Sequence, residues 1–227
     1  MQSVNVFVTG GTGYMGQRLI PALIARGHRV DALVRPGSER KLPSGVTPIV
    51  GNVLARGSFE SAICAGSVVL HLVGTPHPSP SKAMQFEAVD FVSARECIAA
   101  AQSARARHFV YVSVAHPAPV MHAYVDVRVR AEALLRESGM AYTVLRPWYV
   151  LGPGHRWAYG LLPVYWLLGA LPSTRDGARR LGMVTLEQMV GALVWAIETA
   201  SLGAKVMEVP DIREKGLKTL RLPKTTA

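Results

Sequence analysis

The sequence contains little cysteine and no set of residues spaced as metal ligands. Its 227 residues include two cysteines, Cys64 and Cys97, each in an apolar stretch of small residues and without a CxxC partner. Disulfide scaffolds and zinc sites need several cysteines or histidines at short, regular spacings. We therefore expect two reduced thiols, no disulfide and no metal.

The sequence also lacks a secretory leader and a hydrophobic segment of membrane-spanning length. Its N-terminus runs directly into an apolar strand pattern, which predicts a cytoplasmic protein. The apolar stretch at 158–171 has fourteen residues, includes glycine and proline, and is too short to cross a bilayer. Three interpretations stay open for it: a cap helix on the core, a lid over a lipophilic substrate, or a surface that contacts a membrane or a partner subunit.

The basic residues form no block, although the net charge is +10. Residues 1–113 contain 11 basic and 6 acidic side chains, and residues 114–227 contain 14 and 9. Nucleic-acid-binding proteins concentrate basic residues on one face and carry recognisable motifs, and neither feature occurs here. We expect no nucleic-acid partner and a small-molecule ligand, whereas the oligomeric state stays open.

Strand and helix patterns alternate through the first 147 residues. The apolar strand segments lie at residues 4–9, 28–34, 47–50, 67–73, 108–113 and 142–145. The helical patterns between them lie at residues 13–26, 58–65, 83–104 and 124–138. This alternation predicts an α/β protein of the Rossmann type, with a doubly wound parallel sheet covered by helices on both faces.

The composition changes after residue 147, where Gly, Pro, Trp and Leu become frequent. Thr185 and Gln188 have the spacing of a capping box and predict a helix over 186–199. We predict a last strand near 205–209 and little order in the basic tail from Asp211 onward. The chain is therefore interpreted as a single domain, residues 1–227, with a Rossmann core at 1–147 and a small C-terminal cap at 148–227.

A glycine-rich turn follows the first strand and opens the first helix. Gly10, Gly13 and Gly16 match G-x-x-G-x-x-G, the pattern of a dinucleotide-binding turn. Its glycines permit a tight turn and let the backbone approach the pyrophosphate, while the helix N-terminus supplies free N–H groups. We predict that a dinucleotide is bound by this turn, at Gly10, Thr12, Gly13, Tyr14, Met15 and Gly16.

The residue after the second strand favours NADP over NAD as the cofactor. An acidic residue at this place would bind the ribose 2′-hydroxyl of NAD, but the sequence has Arg35. A guanidinium suits a 2′-phosphate because it can form two charge-assisted hydrogen bonds to it. Ser38 is close enough in sequence to assist.

These motifs together resemble the atypical and extended short-chain dehydrogenase/reductases, in particular the compact NmrA-like, NAD(P)H-binding group. The resemblance spans roughly residues 4–200 and rests on 9–16, 34–35, 51–53, 72–74, 110–113, 124 with 128, and 145–147. It implies that Asn52 and Val53 contact the adenine and that Pro147 flanks the nicotinamide ring. The residues that it places around the nicotinamide ribose are Leu72, Val73 and Gly74.

The resemblance also implies a catalytic set. Family enzymes use a tyrosine as acid/base, a lysine four residues later and a serine after the preceding strand; here these positions hold Tyr124, Arg128 and Ser113. Arg128 keeps the positive charge and lies one helical turn from Tyr124, where it can also reach the cofactor, but an arginine cannot pass on a proton. Asp90 stands where extended members usually have an asparagine.

Two functions are compatible with this pattern. The first is an NADP(H)-dependent oxidoreductase that reduces or oxidises a small, apolar carbonyl or quinone-like compound, with Tyr124, Ser113 and Arg128 as its catalytic residues. The alternative is a non-catalytic NADP(H)-binding protein, either a redox sensor or an accessory or assembly subunit. The retained tyrosine and serine favour the first function. The arginine in the lysine position and the apolar stretch at 158–171 favour the second.

Overall fold

A computed structural model describes residues 3–153, 181–200 and 203–221. Within these residues, nine strands numbered β1 to β9 in chain order form a main sheet of seven parallel strands, in the order β3-β2-β1-β4-β5-β6-β9, and a separate parallel pair, β7 with β8. The strands are β1 (Asn5–Thr9), β2 (Arg29–Val34), β3 (Thr47–Val50), β4 (Val68–His71), β5 (His108–Val112), β6 (Tyr142–Leu145), β7 (Tyr149–Leu151), β8 (Met183–Thr185) and β9 (Ala204–Met207). The predicted Rossmann-type parallel sheet is confirmed.

Helices cover both faces of this sheet. The α-helices are α1 (Gly16–Ile24), α2 (Ala83–Gln85), α3 (Val92–Ser103), α4 (His122–Glu137), α5 (Leu186–Glu198) and α6 (Val209–Arg221), and a π-helix, Phe86–Phe91, joins α2 to α3. The predicted helix at 83–104 therefore exists, but one π-helical stretch interrupts it. The helix predicted at 58–65 is wrong, since two short 3₁₀ turns, Arg56–Ser58 and Glu60–Ala62, take its place.

The strand pattern explains why the main sheet has a hydrophobic core on each of its two faces. Successive residues of a strand face opposite sides of the sheet, so Val6 and Val8 pack with α1 and α5, whereas Phe7 packs with Phe59 and α3. All residues of β4 and β5 are buried, as expected for central parallel strands covered on both faces. This burial accounts for the uninterrupted apolar runs in the sequence.

The C-terminal part joins the main sheet. The predicted capping box of Thr185 and Gln188 is confirmed at the start of α5, and β9 pairs with β6 at the sheet edge. The weak order predicted from Asp211 onward is wrong for residues 211–221, which form most of α6. This helix packs on α5 so closely that a Cβ at Gly191 would lie 2.9 Å from the Cα of Gly216 and closer still to its carbonyl oxygen.

The remaining predictions about the C-terminal region concern the apolar stretch and the cap. The stretch at 158–171 lies outside the described residues. Of the predicted cap, β9, α5 and α6 belong to the main sheet and its helical layer, and the division at residue 147 stays a prediction. Within the described parts of the chain, no helix is long and apolar enough to cross a membrane.

Candidate functional site

A cleft of about 430 Å³ opens at the carboxyl ends of β1, β2 and β4. Ligands of doubly wound sheets bind at this edge, because the loops after the strands diverge there. The residues that line it are Thr9, Gly10, Thr12, Gly13, Leu33, Val34, Arg35, Ser38, Gly51, Asn52, Val53, Leu54, Leu72, Val73, Gly74, Thr75, Pro76, Gln85 and Val89.

The glycine turn forms the floor of this cleft. Gly10 has a φ of +78°, and a Cβ there would lie 2.9 Å from the carbonyl carbon of Leu72. A Cβ at Gly16 would lie 2.6 Å from the Cα of Gly11, inside contact distance of the turn itself. The glycines therefore allow the turn to pack against β4 and against the start of α1.

Most of the predicted cofactor residues lie together in the cleft wall. They are Gly10, Thr12, Gly13, Arg35, Asn52, Val53, Leu72, Val73 and Gly74. The others lie elsewhere: Tyr14 and Met15 pack against the core, and Gly16 lies beneath the turn. Pro147 is buried, and its carbonyl accepts the backbone N–H of Ala115 at 2.9 Å. Arg128 also lies outside the lining, behind Gly74. The cofactor roles of all these residues stay predictions.

Arg35 and Ser38 mark the β2 side of the cleft. Arg35 is exposed at the end of the strand, and the backbone N–H of Ser38 donates to the Arg35 carbonyl at 3.0 Å. Asn52 lies in the same end of the cleft, and its Oδ1 accepts the backbone N–H of Leu54 at 3.1 Å. This end is thus polar, positively charged and open to solvent.

The opposite end of the cleft rests on a buried ion pair. Nη2 of Arg128 donates to Oδ1 of Asp90 at 2.5 Å, and the two side chains are 5% and 0% exposed. Nη1 of Arg128 donates to the carbonyl of Val112 at 3.0 Å. Burial alone would lower the pKa of Arg128, but Tyr111, Tyr124 and Asp90 raise it above its ordinary value, so the guanidinium stays charged.

Tyr124 lies over this ion pair. Its ring centroid is 5.1 Å from the guanidinium carbon of Arg128 and 5.1 Å from the centroid of the Phe86 ring. The predicted spacing of four residues thus brings Tyr124 and Arg128 together on one side of α4, as expected for a helix. Arg128 also forms an ion pair with Asp90. The sequence placed Asp90 where extended family members usually have an asparagine, but did not predict this pairing.

Ser113 is buried, and its hydroxyl group is hydrogen-bonded to a carboxylate. Its Oγ donates to Oε1 of Glu132 at 2.5 Å, and Glu132 also accepts from Arg146 at 2.5 Å. Arg146 donates further to Glu208 at 2.9 Å. Sequence reasoning missed Glu132 as the partner of Ser113, because the only local signal is that it lies one helical turn after Arg128. The structure does not bring Ser113 into the cleft wall.

A buried histidine lies below the cleft. Nδ1 of His71 is 2.8 Å from Oγ1 of Thr9, and its Nε2 is 3.4 Å from Oγ of Ser93. Burial, with a smaller contribution from the charge of Arg128, lowers the pKa of His71 to about 3. This histidine is therefore a neutral structural group. Among the described parts of the chain, no cluster of three or more His, Cys, Asp and Glu side chains is arranged to hold a metal ion.

A family model described as NAD(P)H-binding matches residues 10–157, which include the glycine turn, the cleft and α4. The chain belongs to this family. Its similarity to reductases of the short-chain dehydrogenase/reductase type confirms the resemblance that the motifs indicated. The family establishes NAD(P)-type cofactor binding but does not distinguish NADP from NAD.

Two curated relatives are similar to the chain over much of its length. A 3-diazoavenalumate denitrifying reductase of a Streptomyces species is 32% identical over 88% of this chain and 74% of the relative. A 4-hydroxy-2-methyl-3-oxo-4-farnesyl-3,4-dihydroquinoline-1-oxide ketoreductase of Stigmatella aurantiaca is 29% identical over 66% of this chain and 51% of the relative. The chain thus spans about half to three quarters of the length of these two proteins.

A solved structure has the same fold. The enzyme WbmH of Bordetella bronchiseptica, in complex with NAD⁺, is similar with a TM-score of 0.67 and 19% identity, over 100% of this chain and 85% of that protein. At this identity the likeness concerns the fold alone.

Proposed function

We propose that this protein is an NADP(H)-dependent oxidoreductase that reduces or oxidises a small, apolar carbonyl or quinone-like compound. One observation carries the choice of cofactor: the cleft that opens on the glycine turn has Arg35 and Ser38 at its β2 side and no carboxylate among its described lining residues. An NAD site would present a carboxylate to the ribose 2′-hydroxyl, whereas a guanidinium suits a 2′-phosphate.

The cleft fits such a cofactor. A Cβ at Gly13 would lie 3.1 Å from the carbonyl oxygen of Gly10, so glycine at this position lets the turn fold tightly on itself beside the proposed pyrophosphate site. Asn52 and Val53 would lie against the adenine, and residues 72–74 would line the nicotinamide ribose. When bound, the nicotinamide supplies or accepts a hydride.

Tyr124 is the proposed proton donor to the oxygen of the reduced substrate. Its ring lies against the Arg128 cation and the Phe86 ring, and these contacts fix the position of the side chain. Arg128 is the proposed ligand of the ribose. Ser113 is the third member of the proposed catalytic set; its hydroxyl group already donates a hydrogen bond to Glu132, so it would have only acceptor capacity left for a substrate. The names of the two relatives, a reductase and a ketoreductase, support a reductase function for this chain.

A second candidate function is a non-catalytic NADP(H)-binding protein, either a redox sensor or an accessory or assembly subunit. It is favoured by the occupied Ser113 hydroxyl and by Asp90, which neutralises the arginine in the lysine position. Both candidates need the same cofactor, so only turnover separates them.

Calorimetric titration tests the choice of cofactor. We expect the native protein to bind NADP⁺ more tightly than NAD⁺, and Arg35→Ala to weaken NADP⁺ binding about tenfold, the effect of one charge-assisted contact, while NAD⁺ binding stays unchanged. Arg29→Ala, at the opposite end of β2, is the matched control. Equal affinity of the native protein for NADP⁺ and NAD⁺ would contradict the role given to Arg35.

NADPH oxidation over a panel of aldehydes, ketones and quinones tests catalysis. We expect Tyr124→Phe to lower kcat about a hundredfold, a typical loss for a general acid, with NADPH binding retained. Turnover that survives this substitution unchanged would remove Tyr124 from the mechanism. Tight NADPH binding without turnover of any panel member would support the second candidate.

A further inference from the structure

A buried cluster of Asp90, Arg128 and Thr75 lies directly behind one wall of the cleft; we call it the Asp90 cluster. Oδ2 of Asp90 accepts two hydrogen bonds from Thr75, one from its backbone N–H at 2.9 Å and one from its hydroxyl at 2.5 Å. Oδ1 accepts from Nη2 of Arg128 at 2.5 Å. A single carboxylate therefore holds a residue of the cleft wall and the guanidinium together.

The guanidinium of Arg128 lies immediately under that wall. A Cβ at Gly74 would lie 2.5 Å from Nη2 of Arg128, so the wall can approach the guanidinium only because residue 74 is glycine. Within the described residues, Nε of Arg128 is buried and has no hydrogen-bond partner. Two of the three members of the cluster are charged, and each would be a costly unpaired charge without the other.

The π-helix Phe86–Phe91 brings Asp90 to this place. Val89 lines the cleft, whereas Asp90 is fully buried beneath it. π-helical turns are rare and occur frequently at functional sites, where they reposition side chains. The same helical stretch therefore supplies both a surface of the cleft and the carboxylate that supports it.

We propose that Asp90 is a positioning residue for the nicotinamide half of the cofactor, acting through Thr75 and Arg128. This inference rests on the proposed function, because it assumes that NADP(H) occupies the cleft with its adenine half near Arg35 and its nicotinamide half near Gly74. Asp90 touches neither the cofactor nor the substrate; it fixes the wall and the cation that do.

A ligand that contains only the adenine half of the cofactor tests this role of Asp90. The ligand 2′,5′-ADP contains the adenine, its ribose and the 2′-phosphate but no nicotinamide. By calorimetry, we expect Asp90→Asn to weaken NADP⁺ binding at least about tenfold, consistent with loss of a charged hydrogen bond, and to leave 2′,5′-ADP binding within about twofold of the native value. A purely structural role would lower both affinities by the same factor.

Substitutions of Thr75 test the same role of Asp90 if Asp90→Asn fails to fold. Thr75→Val removes only the hydroxyl bond to Asp90, so NADP⁺ binding should weaken about threefold and 2′,5′-ADP binding should not change. Thr75→Ser restores a hydroxyl and is the matched control, with native affinity for both ligands. Equal losses for the two ligands, or no change in Thr75→Val, would overturn the role of Asp90 and leave the proposed function intact. A native protein that binds neither ligand would overturn both.

Discussion

The two ends of the cleft are built by different means. At the floor and the β2 end, the glycine turn forms the surface and the charged group, Arg35, is exposed. At the opposite end, the surface is held from behind by the buried ion pair of Asp90 and Arg128, and one helical turn further along α4 Glu132 pairs with the partly exposed Arg146. The first end therefore depends on local backbone conformation, and the second depends on side chains that distant segments bring together.

The largest expected effect comes from breaking the glycine end. Gly16→Ala places a Cβ within 2.6 Å of Gly11, so the turn must move away from α1. We expect NADP⁺ binding to weaken about a hundredfold or more, since the pyrophosphate depends on this turn, and the free energy of unfolding to fall by about 2 kcal/mol. Calorimetry and urea denaturation measure the two effects.

Gly57→Ala is the control for that substitution. A Cβ at Gly57 meets no atom within 4 Å, so both NADP⁺ affinity and stability should stay near the native values. If Gly16→Ala binds NADP⁺ like the native protein, cofactor binding does not depend on the conformation of the glycine turn.

The second expected effect lies at the ion-paired end. Glu132→Gln removes the charge that Arg146 pairs with at a site where the glutamate side chain is 4% exposed. We expect a loss of about 2 kcal/mol in the free energy of unfolding, because Arg146 loses its more buried partner and the Ser113 hydroxyl loses its charged acceptor. Glu208→Gln removes the other partner of Arg146, whose side chain is 32% exposed, and should cost less than about 1 kcal/mol. Equal losses would contradict the distinction drawn from burial.

A third expected effect concerns His71 and pH. Its pKa is lowered to about 3 in the folded protein from 6.5, so the unfolded chain binds more protons between these values. The contribution of His71 to the free energy of unfolding is fully present above pH 6.5 and is lost as the pH falls toward 3. Between pH 7 and pH 5 the native protein should lose about 2 kcal/mol through His71.

Urea denaturation at several pH values measures this loss. His71→Gln should flatten the dependence of stability on pH over that window, whatever its stability at pH 7. His122→Gln, an exposed position at the start of α4, should leave the dependence unchanged. An unchanged slope in His71→Gln would show that the buried histidine does not titrate as inferred.

The smallest expected effect is at the β2 end, where Ser38 lines the cleft. Ser38→Ala should weaken NADP⁺ binding about threefold, the contribution of one solvent-accessible hydrogen bond to the 2′-phosphate, and leave NAD⁺ binding unchanged. Ser81→Ala, outside the cleft wall, is the control. A similar loss for NAD⁺ would indicate that Ser38 supports the loop rather than contacts the phosphate.

The two ends of the cleft also differ in how far the sequence predicts their structure. The glycine turn and Arg35 are local features, and their positions follow from a strand, a turn and a helix that are adjacent in the chain. Glu132 and Asp90 meet their partners across 19 and 38 residues, and no local pattern encodes those pairings. The same reason explains the missed helix α6, whose basic sequence gives little hint that α5 provides its packing partner.

The contact between Gly191 and Gly216 has a consequence for how this protein can diverge. Two helices that meet backbone to backbone have a separation set by main-chain atoms, and no rotamer change beneath them can widen or narrow it. Substitutions in the surrounding core can then accumulate without altering the placement of the last helix. The distance between α5 and α6 is therefore fixed at this contact, and selection to preserve it acts on two glycines rather than on the many side chains around them.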